Sequence, residues 1–403
     1  MDVLYGVRMT GPLAPHAAGL AGELTRLGFT GMSARGQLGL AAHLSRWLTS
    51  AGLGTMELTV PVAEEYLAAR RAAGYTAYLT PKALAPLLGY LRELGVAPEA
   101  EIAVPATHGP EALLERYRRY LLGERGLREK VARGYVDSVR PFVAGCAAAG
   151  DADLRQLTAG DVTAFLTGES RRLAPKTAQR LATALRSLLR FWHVEGLISG
   201  PLDRAVPKVA NRRPGLPRPL DAAQVRALLA SCDRGTAGGR RDLAMMTLLA
   251  RMGLRAGEVA GLRLDDIDWR RGEITIAGKG NRRDQLRLPA DAGEAVADWL
   301  RHGRPATALD RSVFIRIKAP HRGLTPGGVT MAVLAAGQRA GLGRIYAHRL
   351  RHSAATAMLA GGGSLAEIGQ VLRHRRPATT AAYAKVNIEA LRALARPWPG
   401  ASS

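Results

Sequence analysis

The spacing of hydrophobic and polar residues predicts a mainly α-helical chain with one small β-sheet near its C-terminal end. Residues 242–253, DLAMMTLLARMG, are apolar at helical length, which predicts a buried helix. Short alternating runs at 273–277 and 285–289 predict a hairpin with a basic, mobile tip, and residues 312–316 predict a third strand. The expected fold class is therefore α+β, with the small antiparallel sheet in the C-terminal domain.

Two proline-rich segments, 95–112 and 201–221, show little helical periodicity and interrupt the pattern. They predict three domains. The first two, at 1–104 and 110–208, have the pattern of small helical bundles, and the third, at 218–403, mixes helices with strands.

The first two blocks resemble each other. LTVPVAEEYL (58–67) aligns without a gap with LTAGDVTAFL (157–166), and Thr59 and Thr158 occupy matching positions where a helix N-cap is expected. This pattern favours an internal duplication, although chance similarity between helices rich in leucine and alanine is the alternative.

The charge balance is strongly basic. The 403 residues contain 57 Lys and Arg against 34 Asp and Glu, a formal net charge of +23. Such an excess favours a polyanionic partner, above all nucleic acid. A GC-rich genome, which enriches arginine and alanine, is the alternative source of part of this bias.

The two cysteines, Cys146 and Cys232, are far apart and lack metal-ligand spacing. A disulfide framework or a zinc module is therefore not expected. We see neither a signal peptide nor an apolar run of the ~20 residues that a membrane span needs. A cytoplasmic, nucleoid-associated protein is the expectation.

Several charged residues in the third block are candidates for chemistry. Arg255 follows the predicted buried helix, and Glu258 three residues later could hold its guanidinium, although such pairs are also common on helix surfaces. Lys279 lies between two glycines at the hairpin tip, where basic residues also occur simply for solubility.

The segment HRLRHSAATAML (348–359) places His348 and Arg351 on one face of a predicted helix, with Leu350, Ala354 and Ala357 on another face. His348 and His352, four residues apart, could grip a metal, but Arg351 would repel a cation. An anion site, with the Arg fork and a His donor, is the better interpretation.

A capping-box pattern formed by Ser364 and Glu367 predicts a helix that ends just before His374. Tyr383 follows among alanines. A tyrosine in this setting is usually a packed aromatic, but the small neighbours could also leave its hydroxyl reachable.

Taken in order, these residues resemble the tyrosine recombinase (phage integrase) family over residues ~110–395. The six matching positions are Arg255, Lys279, His348, Arg351, His374 and Tyr383. The resemblance implies that block 110–208 is a core-binding domain and that block 218–403 is catalytic. Two positions depart from the family pattern: Met252 stands where Thr is frequent, and Arg373 replaces a usual Gly. Neither is expected to touch a reacting atom.

The resemblance also implies a mechanism. Tyr383 would attack a DNA phosphorus and form a 3′-phosphotyrosyl link, with His348 as the base or a base-orienting group and Lys279 as general acid toward the 5′-oxygen. The cations Arg255 and Arg351, with His374, would stabilise the transition state, so neither a metal nor ATP is expected.

The implied partners are double-stranded DNA with a specific site, enclosed in a C-shaped clamp, and further copies of this chain in a tetramer that exchanges strands through a Holliday junction. The expected DNA-binding residues are Arg171, Arg172, Lys176, Arg282 and Arg283. The tail helix predicted at 387–400 could pack on a neighbouring copy or on its own domain.

Residues 1–104 are extra relative to the simplest members. Arg70, Arg71 and Lys82 suggest that this block also touches DNA, whereas the apolar Tyr75, Tyr78 and Leu79 suggest a dimerisation module. For the whole chain, a type IB topoisomerase and a catalytically silent DNA-binding protein are the rival readings, and a mobile genetic element is the expected context.

Overall fold

The computed structural model describes residues 5–99, 109–148, 154–207, 219–278, 283–308, 310–373 and 380. The chain divides into two compact units, residues 1–100 together with 215–403, and residues 101–214. Within the described residues, no helix combines the length and the apolar character needed to cross a bilayer.

The N-terminal block has a hydrophobic core of its own, built mainly from leucines between Met9 and Ala97. Its α-helices are α1 (Ala17–Arg26), α2 (Gly31–Ser50), α3 (Val60–Ala72) and α4 (Pro81–Glu93). The predicted N-cap at Thr59 is confirmed, since its hydroxyl accepts a hydrogen bond from the backbone N–H of Val62. In the same compact unit, the backbone N–H of His321 donates to the carbonyl oxygen of Leu27 at 3.2 Å.

The unit 101–214 is also helical, with a core that extends from Leu114 to Val206. Its α-helices are α5 (Gly109–Gly123), α6 (Glu129–Ala148), α7 (Ala159–Ser170) and α8 (Pro175–Val194). Thr158 caps α7 in a capping box with Asp161, as its position predicts. Among the described residues, each block has four α-helices in sequence, with a threonine-capped third helix and a fourth helix that starts at proline, a pattern that favours the duplication.

The C-terminal part of the chain combines helices with the sheet. Its described elements are α9 (Ala222–Ala230), α10 (Ala237–Met252), α11 (Ala256–Ala260), β1 (Ile267–Asp268), β2 (Glu273–Ala277), β3 (Arg283–Arg287), α12 (Ala290–His302), α13 (Pro326–Arg339), α14 (Ala347–Ala360) and α15 (Leu365–Val371). The mainly helical fold with a small antiparallel sheet is confirmed.

The sheet has three strands in the order β1-β2-β3. Ile274 pairs with Ile267 on one side and with Leu286 on the other, so the hairpin is confirmed with its second strand starting two residues earlier than predicted. The third strand was predicted wrongly. Residues 312–316 form isolated bridges, Ser312 with Arg263 and Ile315 with Gly323, because their backbone hydrogen bonds go to the loop residues Leu262, Arg322 and Leu324 rather than to a strand.

Helix α10 lies at the centre of the third core, as its apolar sequence predicts. Nine of its residues are buried: Gly239, Asp242, Ala244, Met245, Met246, Thr247, Leu248, Leu249 and Met252. The helix packs on α12 and α14. This rigid support matters for function because the candidate site begins at its C-terminal end.

Candidate active site

The turn that carries Arg255 is fixed by a glycine. Helix α10 ends at Gly253, whose φ of 59° is left-handed, a conformation in which a glycine avoids the steric cost of a side chain. A Cβ at this position would also come within 2.5 Å of Leu372. The chain therefore reverses tightly here, and Arg255 becomes the N-cap residue of α11.

Glu258 holds Arg255 as the sequence predicts. Its carboxylate accepts from the Arg255 guanidinium at 2.6 Å and from the Arg255 backbone N–H at 2.8 Å. The Arg255 side chain is 44% exposed, whereas that of Glu258 is 6% exposed. Burial by itself raises the pKa of the Glu258 carboxyl, but the Arg255 backbone N–H and the charge of Arg373 bring it below its ordinary value. The pair is thus ionised and leaves one guanidinium facing solvent.

Arg351 is buried, at 1% exposure, rather than displayed on a helix surface. His348, three residues earlier on the same helix, differs in burial, because it is exposed while Arg351 points into the interior. Of the residues expected to face the core, Leu350 and Ala354 are buried and Ala357 is exposed.

The buried guanidinium of Arg351 connects two distant parts of the chain. One terminal nitrogen donates to the carbonyl oxygen of Gly253, and the other donates to the carbonyl oxygen of Leu372. The first acceptor lies two residues before Arg255, and the second lies two residues before His374. Arg351 therefore brings the Arg255 turn next to the segment that leads to the later motif.

His348 and His352 are stacked edge to face on α14, with ring centroids 4.2 Å apart and planes at 69°. Burial, together with the neighbouring His348 and Arg351, lowers the pKa of His352 to about 4. His352 is therefore neutral at physiological pH. Among the residues that the structure describes, no group of three or more His, Cys, Asp or Glu side chains is placed to hold a metal ion.

Four of the predicted site residues lie outside the described residues: Lys279, Arg282, His374 and Tyr383. The structure thus brings Arg255, Glu258 and Arg351 together around the end of α10, with His348 on the same helix as Arg351. The predicted tail helix at 387–400 also lies outside the described residues.

Arg373 belongs to this site and was missed as a functional residue. Its guanidinium donates to Glu258 at 2.6 Å, and its carbonyl oxygen accepts a long, 3.4 Å hydrogen bond from Arg255. The signal in the sequence was the arginine at a usual glycine position. That position departs from the family pattern, but the spacing of residues does not reveal a contact with a residue 115 positions away.

The predicted DNA-binding residues differ in their surroundings. Arg171 and Arg172 are exposed in the turn between α7 and α8, and Lys176 is exposed in the first turn of α8. The N-terminus of α8 is the positive end of the helix dipole, so the dipole does not stabilise these positive side chains. A phosphate bound here would be attracted both by the side chains and by the helix N-terminus. Arg283 is also exposed, but it donates to the buried carboxylate of Asp266 at 2.8 Å.

In the N-terminal block, Arg70 does not face solvent as the DNA-contact hypothesis requires. It is 8% exposed, lies over the ring of Tyr75 at 3.9 Å and donates to the carbonyl oxygen of Ala77. Its role is to hold the loop after α3, because that loop brings Tyr75 and Ala77 back over the helix. Arg71 and Lys82 are exposed.

Comparison with protein-family models gives two matches. The model of the phage integrase family matches residues 218–390, and the model of the phage integrase N-terminal SAM-like domain matches residues 114–196. The described part of the first match contains Arg255, Glu258 and Arg351.

Individual relatives of the chain are also integrases or recombinases. An integrase/recombinase of Sinorhizobium fredii is 41% identical over 403 residues, covering 97% of this chain and 95% of the relative. The tyrosine recombinase XerC of a Mycobacterium species (strain KMS) is 32% identical over 293 residues, covering 70% and 97%. In fold, the chain is similar to a lambda integrase tetramer bound to a Holliday junction, with a TM-score of 0.54, 16% identity and coverage of 74% and 84%.

Proposed function

Because this chain belongs to the phage integrase family of tyrosine recombinases, we propose that it recombines DNA at a specific site through a phosphotyrosine formed on Tyr383. Membership makes the chain an enzyme that cuts and rejoins DNA strands. What we propose is which residue performs each step.

The observation that carries the proposal is the buried Arg351, which links Gly253 to Leu372. Two segments of the block 218–403 that are far apart in sequence, the Arg255 turn and the end of α15, are thereby held together. The exposed guanidinium of Arg255 lies at this place on a rigid helix end. A preorganised group of cations suits a transition state in which negative charge grows on the nonbridging phosphate oxygens.

The cleavage step can be written with its atoms balanced. The Tyr383 hydroxyl attacks phosphorus, its proton passes to His348, and the bond from phosphorus to the 5′-oxygen breaks. The 5′-oxygen leaves as a hydroxyl after it receives a proton from Lys279. The phosphotyrosine retains the phosphodiester energy, so the reverse attack by a 5′-hydroxyl can rejoin the strand without ATP.

Arg255 and Arg351 would stabilise the same transition state. An arginine has five N–H donors, so one side chain can bond protein acceptors and a phosphate oxygen together. The Arg255 guanidinium, held from behind by Glu258, points its other donors outward. These two permanent charges perform the charge stabilisation for which other nucleases use a divalent ion.

DNA binding would draw on the exposed basic residues outside this site. Arg171, Arg172 and Lys176 are suited to phosphate contacts in the SAM-like domain, and Arg282 and Arg283 to contacts beside the hairpin. We further propose that four copies assemble on two DNA sites, that the chain acts on the nucleoid, and that it serves a mobile element.

A suicide substrate tests the proposal. A duplex nicked near the cleavage site loses its short 5′-hydroxyl fragment and traps the covalent intermediate. The wild-type chain should yield an SDS-resistant protein–DNA species, and Tyr383→Phe should bind the duplex equally well without forming it. A covalent species in the Phe variant would show that another residue is the nucleophile. Tyr346→Phe, at an exposed tyrosine before α14, is the matched control.

A further inference from the structure

The carboxylate of Glu258 is shared by two guanidinium groups. One oxygen accepts from Arg255 at 2.6 Å, and the other accepts from Arg373 at 2.6 Å. The two partners differ in burial: the Arg373 side chain is 9% exposed, whereas that of Arg255 is 44% exposed. One arginine is therefore part of the interior, and the other faces the site.

The backbone at Arg373 is costly for an arginine. Its φ of 55° lies in the left-handed region, where a residue with a Cβ is less stable than glycine by about 1 kcal/mol. Its Nε has no hydrogen-bond partner among the described residues, although it is buried. Glycine would be more stable in this backbone conformation. Any benefit of an arginine at this position must therefore come from its terminal guanidinium nitrogens.

The charge balance shows what that contribution is. A lone Arg255–Glu258 pair would be neutral, and a half-exposed pair of this kind fixes its side chains only weakly. With Arg373 present, the buried carboxylate is neutralised from the interior and anchored there. The group of three carries one net positive charge, and that charge lies on the exposed Arg255.

We propose that Arg373 is a positioning residue, which acts through Glu258 to hold the guanidinium of Arg255 in place and to leave its charge available to the scissile phosphate. This inference rests on the proposed role of Arg255. Arg373 touches no reacting atom.

The test is single-turnover cleavage of the suicide substrate by the full chain at saturating DNA. Arg373→Gly removes the guanidinium and suits the left-handed backbone. We expect the cleavage rate to fall by about tenfold to a hundredfold, because small displacements of a catalytic group cost that much, with DNA affinity within about threefold of wild type. Arg373→Lys, which keeps a charge but not the planar fork, should recover part of the rate.

A second variant shows whether the effect passes through Glu258. In a Glu258→Gln background, adding Arg373→Gly should change the rate less than about twofold, because coupled residues are not additive. Arg241→Gln is the matched control, since Arg241 forms a similarly enclosed pair with Asp242 at 2.7 Å away from this carboxylate. It should leave the cleavage rate unchanged.

The possible outcomes distinguish a wrong role for Arg373 from a wrong role for Arg255. If Arg255→Ala abolishes cleavage while Arg373→Gly and Arg373→Lys both cleave at the wild-type rate, the positioning role is wrong. It is also wrong if the loss is fully additive with Glu258→Gln, or if weaker DNA binding accounts for it. If Arg255→Ala itself cleaves normally, the proposed role of Arg255 fails instead. Should Arg373→Gly fold poorly, Arg373→Asn gives the same comparison, since asparagine tolerates left-handed backbone.

Discussion

The guanidinium of Arg351 donates to the backbone carbonyl of Gly253, a residue 98 positions earlier in the chain. The donor side chain is buried, and the acceptor is the glycine that ends α10. Through this bond, and its second bond to Leu372, Arg351 holds the end of α10 beside the end of α15, and in the proposed mechanism it also contributes charge.

Arg351 should therefore affect stability as well as catalysis. Arg351→Ala leaves two buried carbonyls without donors, and each costs about 1–3 kcal/mol, so the free energy of unfolding should fall by about 2–6 kcal/mol and cleavage should be lost. Arg255→Ala, at a half-exposed site, should abolish cleavage with a loss below about 1 kcal/mol. Urea unfolding and the suicide-substrate assay measure both. Unchanged stability of Arg351→Ala would contradict the structural role.

Lys279 should be needed to protonate the leaving oxygen. Lys279→Ala should slow cleavage of ordinary DNA by about a hundredfold or more, the usual contribution of a general acid. A 5′-bridging phosphorothiolate, whose sulfur leaves without a proton, should restore the rate. Arg283→Ala on the same hairpin is the control and should show no such rescue. A Lys279→Ala variant equally slow on both substrates would exclude the general-acid role.

Cleavage should persist in a chelator. Positive charge at the phosphate is assigned to Arg255, Arg351 and Lys279, so EDTA in excess should change the single-turnover rate by less than about twofold. Magnesium can alter DNA binding by screening, so the rate is compared at matched ionic strength. Activity lost in EDTA and recovered with one particular divalent ion would require a metal in the mechanism.

Acid should destabilise the chain through His352. Its pKa in the folded state is about 4, against an ordinary value of 6.5, and the cause is burial next to His348 and Arg351. The unfolded chain then binds more protons than the folded chain between these values, so the contribution of His352 is complete above about pH 6.5 and declines as pH falls toward about 4. Urea unfolding from pH 4 to 8 should show that decline, and His352→Asn should reduce it. Parallel curves for the two proteins would disprove the shift.

The N-terminal block should contribute phosphate contacts through Arg71 and Lys82. Each contact adds about 0.9 to the slope of log affinity against log salt, so the double variant Arg71→Ala, Lys82→Ala should lower the slope by up to about 2. Arg26→Ala is the control, because Arg26 is paired with Glu23. An unchanged slope, together with loss of self-association in Tyr78→Ala, would instead favour the dimerisation hypothesis.

Local interactions were determined by the sequence alone. The Arg255–Glu258 pair, the Ser364–Glu367 capping box and the threonine caps join residues three positions apart, and the structure has each of them. The apolar run of α10 likewise predicts its own burial. Such contacts depend on helical geometry that neighbouring residues already fix.

The rest was decided by tertiary structure. Strand β1 contains only two residues, too few for an alternating pattern, and exists because β2 offers it an edge. Arginine is usually a surface residue, yet Arg70 and Arg351 are buried. The guanidinium of Arg70 donates to a carbonyl group in the loop after its own helix, and that of Arg351 donates to carbonyl groups 98 and 21 positions away. Arg373 and Glu258 are 115 positions apart in the sequence, so their contact exists only in the folded chain. The sequence identifies candidate residues and their short-range partners. Long-range partners depend on tertiary packing, which the hydrophobic periodicity of a single segment does not reveal.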